Sequence, residues 1–291
     1  MSLKIVFMGT PKFSIPTLET LIKNNFNILK VYTQPPKKSK RGQKINISPI
    51  QDFSIKNKLD FRNPDNLNTD EELKIFRELS ADLAVVVAYG KLIPKNFLTL
   101  TRYGFINIHA SLLPKWRGAA PIQRTIMNLD NETGISLMKL NENLDEGPVC
   151  SQHKIKITKN MNSTDLSESL ASLASQKILT DLDSIYDGSI NFVDQDHSKA
   201  TYANKIKKSE GKINWNESAN TIIGKINGLY PFPGAWFVFK GERYKILKSE
   251  FSNSKGKPGI ILNENLEIGC SDNSIRVLEI QREGKKSQKT S

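Results

Sequence analysis

Apolar and polar residues follow two different periods over the first two thirds of the chain. Short runs rich in Val, Ile and Leu, the composition of strands buried on both faces, cover residues 3–8, 28–32, 83–87 and 105–108. Helically spaced apolar residues predict helices near 15–22, after 48, after 69, at 118–129 and at 164–186, and further strands are predicted at 133–140 and 152–157. This alternation predicts an α/β fold class with a Rossmann-like, mostly parallel sheet.

Local signals refine two of these helices. Thr69 with Glu72 forms a capping-box sequence at the start of the third helix. The second helix, which starts after residue 48, has a weaker pattern, because Ile50 and Phe53 form one short apolar row and Ile55 begins another.

The pattern changes after residue 188. Residues 189–210 are polar and weakly periodic, as in a linker, and short strands are predicted at 235–240, 244–249, 259–262, 266–270 and 274–280. Short strands at such close intervals predict a small C-terminal β-barrel, with the oligonucleotide-binding (OB-like) barrel as the leading candidate. A length of 291 residues suits two domains, which we place at 1–188 and 211–291.

Composition is that of a soluble globular protein, with 38% hydrophobic and 25% charged residues. The longest apolar run, 83–89, is too short to cross a bilayer, and Gly9 and Pro11 end the first strand before it reaches the length of a secretory signal. Cys150 and Cys270 form no C-x-x-C pair, so we expect a reducing, cytoplasmic location.

The chain is basic, with a net charge of +12 and a pI near 9.5. Residues 200–291 carry 16 basic and 9 acidic side chains. Such an excess favours a polyanionic partner, but a lysine-rich solvated surface explains the charge equally well.

Candidate chemistry gathers after the strand at 105–108. Asn107 and His109 are two residues apart at the carboxyl end of that strand, so they point to the same side, where open α/β sheets bind ligands. Asp145 lies in a turn-like sequence and completes a set of amide, imidazole and carboxylate. Taken singly, each is as readily a structural residue. His109, His153 and His197 lack metal-ligand spacing, so we expect no metal. The sequence has no G-x-G-x-x-G or P-loop, so we do not expect a nucleotide cofactor bound by such a motif.

Three motifs in one order carry a resemblance: 107–114 (NIHASLLP), 116–123 (WRGAAPIQ) and 144–147 (LDEG). Residues 8–11 (MGTP), the 32–44 loop and 84–94 (AVVVAYGKLIP) agree with them. Together they resemble the folate-dependent formyltransferases over essentially the whole chain, and within that family the members that act on methionyl-tRNA.

The resemblance implies a reaction and its partners. The co-substrate is expected to be 10-formyltetrahydrofolate, without a metal, the acceptor to be initiator methionyl-tRNA, and the protein to be a monomer. Catalytic roles are implied for Asn107, His109 and Asp145. A folate site is implied for Ser111, Leu112, Leu113, Pro114, Ala88, Tyr89 and Leu92. A contact with the tRNA acceptor end is implied for the cations Lys37, Lys38, Lys40, Arg41 and Lys44, with Arg41 the most important.

Formyl transfer explains why these residue types are needed. An amine attacks the formyl carbon, and the carbonyl oxygen gains negative charge, which Asn107 and His109 can stabilise as hydrogen-bond donors; losing one such donor costs about 10²–10³ in rate. Asp145 can accept and relay the amine proton, directly or through water, which is worth about 10²–10⁴-fold.

The chain departs from the family pattern in two places. Residues 35–38 (PPKK) and Gln43 alter the basic loop and so its detailed contacts. The chain ends soon after Lys286, where family members typically continue; a truncation and a naturally short C-terminus both fit, and either is expected to weaken tRNA binding.

Two other functions stay open at this point. The acceptor of a formyltransferase could be small, such as glycinamide ribonucleotide or an amino sugar, although a basic loop and a basic barrel would then be unnecessary. An RNA-binding protein without catalysis is the other alternative, and the intact set of Asn107, His109 and Asp145 argues against it.

Overall fold

The computed structural model describes residues 3–38 and 45–290 and forms two compact units. The first, called here the parallel-sheet unit, comprises Met1–Ala119, Gly134–Lys154 and Glu168–Tyr202. The second, the barrel unit, comprises Ala120–Thr133, Ile155–Ser167 and Ala203–Ser291. The contiguous domains at 1–188 and 211–291 stay a prediction.

The strands and helices follow the alternation seen in the sequence. The strands are β1 Lys4–Gly9, β2 Asn27–Tyr32, β3 Lys37–Lys38, β4 Ile45–Asn46, β5 Phe61–Arg62, β6 Leu83–Val87, β7 Phe105–His109, β8 Glu132–Lys139, β9 Val149–Lys156, β10 Ala235–Phe239, β11 Glu242–Ser252, β12 Glu267–Gly269, β13 Ser274–Arg282 and β14 Gln288–Lys289. The α-helices are α1 Ile15–Lys23, α2 Pro49–Lys56, α3 Asp70–Glu78, α4 Lys95–Leu98, α5 Pro121–Met127, α6 Ser163–Tyr186 and α7 Ala219–Gly228. Short 3₁₀ turns occur at Lys12–Ser14, His197–Lys199 and Lys208–Gly211.

The main sheet has the strand order β5-β2-β1-β6-β7-β8-β9. Neighbouring strands from β5 to β7 are parallel, and β8 runs antiparallel to β7. The chain builds outward on one side of β1 and then continues on the other side, so the order reverses between β1 and β6. Ligands of open α/β sheets bind at the carboxyl ends of the strands beside such a reversal. The predicted Rossmann-like, mostly parallel sheet is confirmed.

Aromatic packing holds the middle of this sheet. Every residue of β6 and β7 is buried, as the continuous apolar runs predict. Phe76 of α3 stacks on Phe105 at a ring-centroid distance of 5.4 Å and meets the edge of Phe97 at 5.2 Å. The start of β7 is therefore fixed in the core, which makes its carboxyl end a rigid place for a site.

Polar caps start α2 and α3 where the sequence predicts. The Ser48 hydroxyl accepts a hydrogen bond from the backbone N–H of Gln51 at 2.9 Å. Thr69 accepts from the backbone N–H of Glu72 at 3.2 Å, but the Glu72 carboxylate pairs with Arg62 instead of completing the capping box. The predicted apolar row from Ile55 is wrong, since its side chain is 53% exposed.

The barrel unit contains a five-stranded antiparallel half-barrel, with the order β10-β11-β13-β12 and β14 beside β13. Its core is apolar and includes α7; the buried members are Ile213, Ala219, Ile222, Ile226, Ala235, Ile246, Ile268, Cys270, Ile275 and Val277. The small barrel predicted from short, closely spaced strands is confirmed as a fold class.

One barrel strand was predicted wrongly. Residues 259–262 form only a single bridge, between Ile261 and Ile268. Gly259 has a left-handed backbone, φ +78°, which interrupts an extended run, and Ile260 and Ile261 are about half exposed, so no buried face forms there. The β14 strand was not predicted, because its sequence is polar.

The basic loop predicted at 33–44 begins as a short hairpin stem. Lys37 pairs with Asn46 and Lys38 with Ile45 in an antiparallel ladder. Lys40, Arg41 and Lys44 lie outside the described residues.

Across the described residues, no helix is both long enough and apolar enough to span a bilayer.

Candidate active site

Asn107 and His109 lie at the carboxyl end of β7, with exposed fractions of 9% and 6%. Asn107 pairs with Val86 of β6 on one side, and His109 pairs with Ser136 of β8 on the other. Because they are two apart on one strand, their side chains leave the sheet on the same face. The structure therefore agrees with the prediction that Asn107 and His109 point to the same face of the strand.

The His109 ring contacts two different acceptors. Its Nε2 atom is 2.9 Å from the backbone oxygen of Trp116, and its Nδ1 atom is 3.6 Å from Oδ2 of Asp145. A carbonyl oxygen only accepts hydrogen bonds, so Nε2 carries a hydrogen and donates it. Nδ1 is therefore the nitrogen that faces the Asp145 carboxylate.

Asp145 reaches this position through an unusual backbone conformation. Its φ is +52°, in the left-handed region. This conformation costs a non-glycine residue about 1–3 kcal/mol and persists only where the surroundings fix it. Its Oδ2 atom accepts a hydrogen bond from the backbone N–H of Gly118 at 2.8 Å. Gly147 follows in a tight place, since a Cβ there would lie 1.8 Å from the backbone oxygen of Lys139. The Asp-Glu-Gly sequence is thus a strained turn that brings the carboxylate to His109.

A second turn, Trp116–Gly118, presents the groups that His109 and Asp145 use. Trp116 has φ +61° and Gly118 has φ +112°, and both conformations are left-handed. The Trp116 N–H donates to Oγ1 of Thr201 at 2.9 Å, and the Arg117 N–H donates to the backbone oxygen of Thr201 at 2.8 Å. The helix predicted at 118–129 starts later, at Pro121, because this turn occupies its first residues.

Arg117 is buried completely between these turns. Its guanidinium donates to Oε1 of Gln195 through Nε at 3.0 Å and through Nη2 at 2.8 Å. Its Nη1 lies 3.1 Å from Oε1 of Glu146 and 3.3 Å from Nδ1 of His197. A buried guanidinium is costly unless its charge and donors are satisfied, and these three partners satisfy them.

Gln195 links Arg117 to the Asp145–Gly147 turn. Its Nε2 atom donates to the backbone oxygen of Asp145 at 2.9 Å and to that of Gly147 at 2.7 Å. Sequence reasoning missed this residue, because residues 189–210 looked like a linker. A glutamine in a weakly periodic segment carries no local signal of such contacts.

The loop from Ser111 to Pro114 is held by the two strands that follow it in the sheet. Oγ of Ser136 donates to the backbone oxygen of Ser111 at 2.7 Å and accepts from the N–H of Leu113 at 2.9 Å. Gln152 donates to the backbone oxygen of Leu113 at 2.7 Å. Ser111 and Leu113 are buried, whereas Leu112 and Pro114 are partly exposed and are the members available to a ligand.

The other predicted folate residues follow β6. Ala88 is exposed with φ +48°, and Leu92 is 77% exposed. The Tyr89 ring is buried in the core, and its backbone oxygen accepts from Thr10 at 2.8 Å and from Gln34 at 2.9 Å. Within the described residues its hydroxyl has no hydrogen-bond partner, and burial raises its pKa. The ring is thus a core group, and only the backbone of Tyr89 is placed at the carboxyl end of β6.

Lys37 is the member of the predicted tRNA-binding set whose side chain is described. It is exposed, and its Nζ donates to Oε1 of Gln34 at 2.8 Å. Since Gln34 also contacts the Tyr89 oxygen, the stem of the basic loop is joined to the end of β6.

The barrel unit has a basic and aromatic pocket of about 250 Å³ on its surface. The Arg243 guanidinium lies 4.1 Å from the centre of the Trp236 ring, and the Lys208 ammonium lies 5.9 Å from that of Phe232. Its lining also includes Pro233, Lys245, Gln281, Glu283 and Gly284. Three cations beside two aromatic rings form a surface that suits an anion with a flat ring.

The side chains of Cys150, Cys270 and His153 have environments typical of structural residues. Burial raises the pKa of both the Cys150 and the Cys270 thiol to about 11, so neither is a nucleophile at neutral pH. Nε2 of His153 pairs with Oδ2 of Asp181 at 2.9 Å. The described residues contain no group of three or more His, Cys, Asp or Glu side chains able to hold a metal.

Comparison with known proteins identifies the family of this chain. Residues 3–182 match the formyl transferase family, and residues 205–291 match the formyl transferase C-terminal domain. The chain is 56% identical over 290 residues to a methionyl-tRNA formyltransferase of Pelagibacter ubique, covering 99% of this chain and 94% of the relative. It is 42% identical over 291 residues to one from a Chelativorans species, covering 98% and 94%.

The fold agrees with that of solved structures. An N-formyltransferase from Helicobacter canadensis, solved with folinic acid and dTDP-3-aminofucose, superposes with a TM-score of 0.73 at 19% identity, covering 97% of this chain and all of that one. The chain belongs to the formyl transferase family, with methionyl-tRNA formyltransferases as its sequence relatives.

Proposed function

We propose that this protein transfers the formyl group of 10-formyltetrahydrofolate to the amino group of initiator methionyl-tRNA, for translation initiation in the cytoplasm. The observation that carries the proposal is the meeting of the His109 imidazole and the Asp145 carboxylate at the carboxyl end of β7, in a chain whose relatives are methionyl-tRNA formyltransferases.

His109 acts as a donor to the oxygen of the reacting formyl group. Its Nε2–H is already donated to the Trp116 oxygen, so Nδ1 is the nitrogen that remains for the substrate. Donation from Nδ1 requires a hydrogen on that nitrogen, which faces the Asp145 carboxylate at 3.6 Å. In the described part of the chain the Asn107 amide has no hydrogen-bond partner, so it is free to supply a second donor.

Asp145 accepts the proton that the attacking amine must release. Its Oδ2 atom is held by the Gly118 N–H, which fixes the carboxylate without neutralising it. The amine nitrogen gains a bond to the formyl carbon and loses a proton, and the folate nitrogen loses that carbon and must gain a proton. One carboxylate beside an imidazole can pass the proton from the first nitrogen to the second.

Folate is proposed to lie at the carboxyl ends of β6 and β7. Hydrogen bonds with Ser136 fix the loop at 111–114. Leu112, which is partly exposed, and Leu92, which is exposed, offer apolar surface to a flat ring. The backbone at Ala88 and Tyr89, beside the reversal of strand order, offers polar groups. The Helicobacter canadensis structure, that of a protein of the same fold, contains folinic acid, which supports folate as the co-substrate.

The tRNA is proposed to contact two basic surfaces. The first is the loop that includes Lys37 and continues through Lys38, Lys40, Arg41 and Lys44. The second is the pocket around Trp236 and Arg243, where an unpaired base can stack while cations hold its phosphate. A small acceptor would need neither surface.

The test offers one purified protein three acceptors in parallel. Charged tRNA, glycinamide ribonucleotide and an amino sugar are each incubated with 10-formyltetrahydrofolate, and the formylated product is measured by mass spectrometry. We expect formylmethionyl-tRNA to form at a rate at least 100 times that of the other products.

The control is the variant Asp145→Asn in the same three reactions. Preferential formylation of a small acceptor would overturn the proposed substrate. Binding of tRNA without formylation of any acceptor would leave an RNA-binding protein as the better description.

A further inference from the structure

We infer that Gln195 is a positioning residue for formyl transfer, and that Arg117 orients its amide for that purpose. The inference rests on the proposed function, because it concerns the turn that carries Asp145. Gln195 does not touch the reacting atoms; it acts through the backbone carbonyls of Asp145 and Gly147, in the turn that carries the Asp145 carboxylate.

The Gln195 amide is fixed in a single orientation. A guanidinium only donates hydrogen bonds, and Arg117 donates two of them to Oε1. Backbone oxygens only accept, and Nε2 donates to those of Asp145 and Gly147. A flipped amide would turn its N–H groups toward the guanidinium and its oxygen toward two oxygens, so all four contacts would be lost.

The amide stabilises a backbone conformation that residues other than glycine usually avoid. Asp145 has a left-handed φ of +52°, which persists only where the surroundings fix it. Nε2 bonds the carbonyl of Asp145, which directly follows the left-handed φ, and that of Gly147, so it fixes both ends of the Glu146–Gly147 backbone that completes the turn. Gln195 is 7% exposed, so water does not readily replace these bonds.

A small displacement of this turn is expected to affect catalysis more than stability. The Asp145 carboxylate must face both Nδ1 of His109 and the N–H of Gly118. A misplacement of about 1 Å of a reacting group can cost about 100-fold in rate. Binding of either substrate, which depends on other surfaces, is expected to change little.

The variant Gln195→Glu separates positioning from simple packing. A glutamate keeps the shape and keeps both contacts to Arg117, now as an ion pair, but it replaces the donor to Asp145 and Gly147 with an oxygen. If Gln195 only satisfies the hydrogen-bond donors of Arg117, the variant should be as active as the parent. If Gln195 positions the turn, we expect kcat to fall at least 30-fold while KM for both substrates stays within 3-fold.

Amide hydrogen exchange gives a second readout that does not require activity. The Gly118 N–H reports the position of the Asp145 carboxylate that it binds, and we expect its exchange to speed up at least 10-fold in the glutamate variant. The Arg117 N–H, bonded to the Thr201 oxygen in the same turn, is the internal control and should not change.

The matched control is Gln51→Glu. Gln51 is also buried, lies on α2, and accepts a hydrogen bond from Asn63 that a glutamate can still accept. We expect its kcat to stay within 2-fold of the parent. If Gln195→Glu fails to fold, Gln195→Met replaces it as a neutral variant of similar volume, with the same two readouts.

Near-parental kcat together with unchanged Gly118 exchange would show the inference to be wrong. A parent protein that formylates none of the acceptors would overturn the proposed function instead, and the exchange readout would still decide whether Gln195 holds the turn.

Discussion

The side chains of His109 and Asp145 are largely buried and held by hydrogen bonds to the backbone, whereas those around Trp236 in the barrel unit are largely exposed. In the first region Nε2 of His109 donates to a carbonyl, and the Asp145 carboxylate accepts from a backbone N–H. In the second, Arg243 lies over an aromatic ring and Phe232 is 67% exposed.

This difference indicates what each region can contribute. Fixed, dry groups cost little to reorganise during a reaction, so they can stabilise a transition state. Exposed cations and rings adapt to a ligand, so they contribute affinity that depends on salt. Substitutions in the first region should therefore change kcat, and those in the second should change binding.

The largest expected effect is that of Asp145→Asn. The asparagine keeps the shape, and its oxygen can still accept from the Gly118 N–H, but it cannot take up a proton. We expect kcat to fall by about 10²–10⁴-fold, the usual contribution of general acid–base catalysis. Folate affinity, measured by calorimetry, should stay within 3-fold. A turnover close to that of the parent would remove Asp145 from the mechanism.

His109→Ala should come next. Loss of one donor to a developing oxyanion costs about 10²–10³ in rate, and this loss should appear in the chemical step measured under single-turnover conditions. Asn128→Ala, at an exposed position after α5, is a suitable control because its side chain bonds only Asp130 nearby. An effect of His109→Ala confined to substrate affinity would contradict the donor role.

Sequence reasoning predicted part of the region around His109. Residues 105–108 read as a buried strand, and the polar pair at its end marked the site, because strand periodicity is a local property. The Asp145 carboxylate was paired with His109 through a family motif.

Gln195 could not be found in this way, since it contacts residues about 50 positions earlier and sits in a segment with no periodicity. Its importance comes from turns that only the folded chain brings together. The 259–262 strand was overpredicted for a different reason: its apolar residues have strand composition, but Ile260 and Ile261 are about half exposed and the segment forms only a single bridge, to Ile268.

Substitutions in the barrel pocket should weaken tRNA binding and leave kcat unchanged, the opposite of what is expected for the Asp145–Gly147 turn. Stacking of one base on an aromatic ring is worth about 1–3 kcal/mol, so Trp236→Ala should weaken tRNA binding about 5- to 150-fold. Arg243→Ala should lower the slope of log K against log salt by about 1, since one phosphate contact is lost. Filter binding at several salt concentrations measures both. At saturating tRNA, kcat should be unchanged, and a large fall in kcat would break the comparison.

The smallest effect concerns the ion pair that supports the barrel surface. Glu210 accepts from both Nη atoms of Arg124, at 2.6 and 3.2 Å, and lies two residues after Lys208. The hydrogen bonds from Arg124 lower the pKa of Glu210 below its ordinary 4.5. A carboxylate with a lowered pKa in the folded state stabilises the fold above about pH 4.5, and this stabilisation is lost as the pH falls through the lowered value.

Glu210→Gln should therefore lower the melting temperature at pH 7 by about 2 °C, because a partly exposed pair contributes up to about 1 kcal/mol. Below the lowered pKa both proteins carry a neutral side chain, so the difference in melting temperature should shrink as the pH falls below 4.5 and through the lowered pKa. Glu264→Gln, at an exposed turn of the barrel unit, serves as the control and should show no difference at either pH. Binding of tRNA should change less than 2-fold at pH 7, because the ion pair supports the segment before the pocket without lining it. A gap in melting temperature that stays constant down to pH 3 would mean that Glu210 contributes through its shape and not its charge.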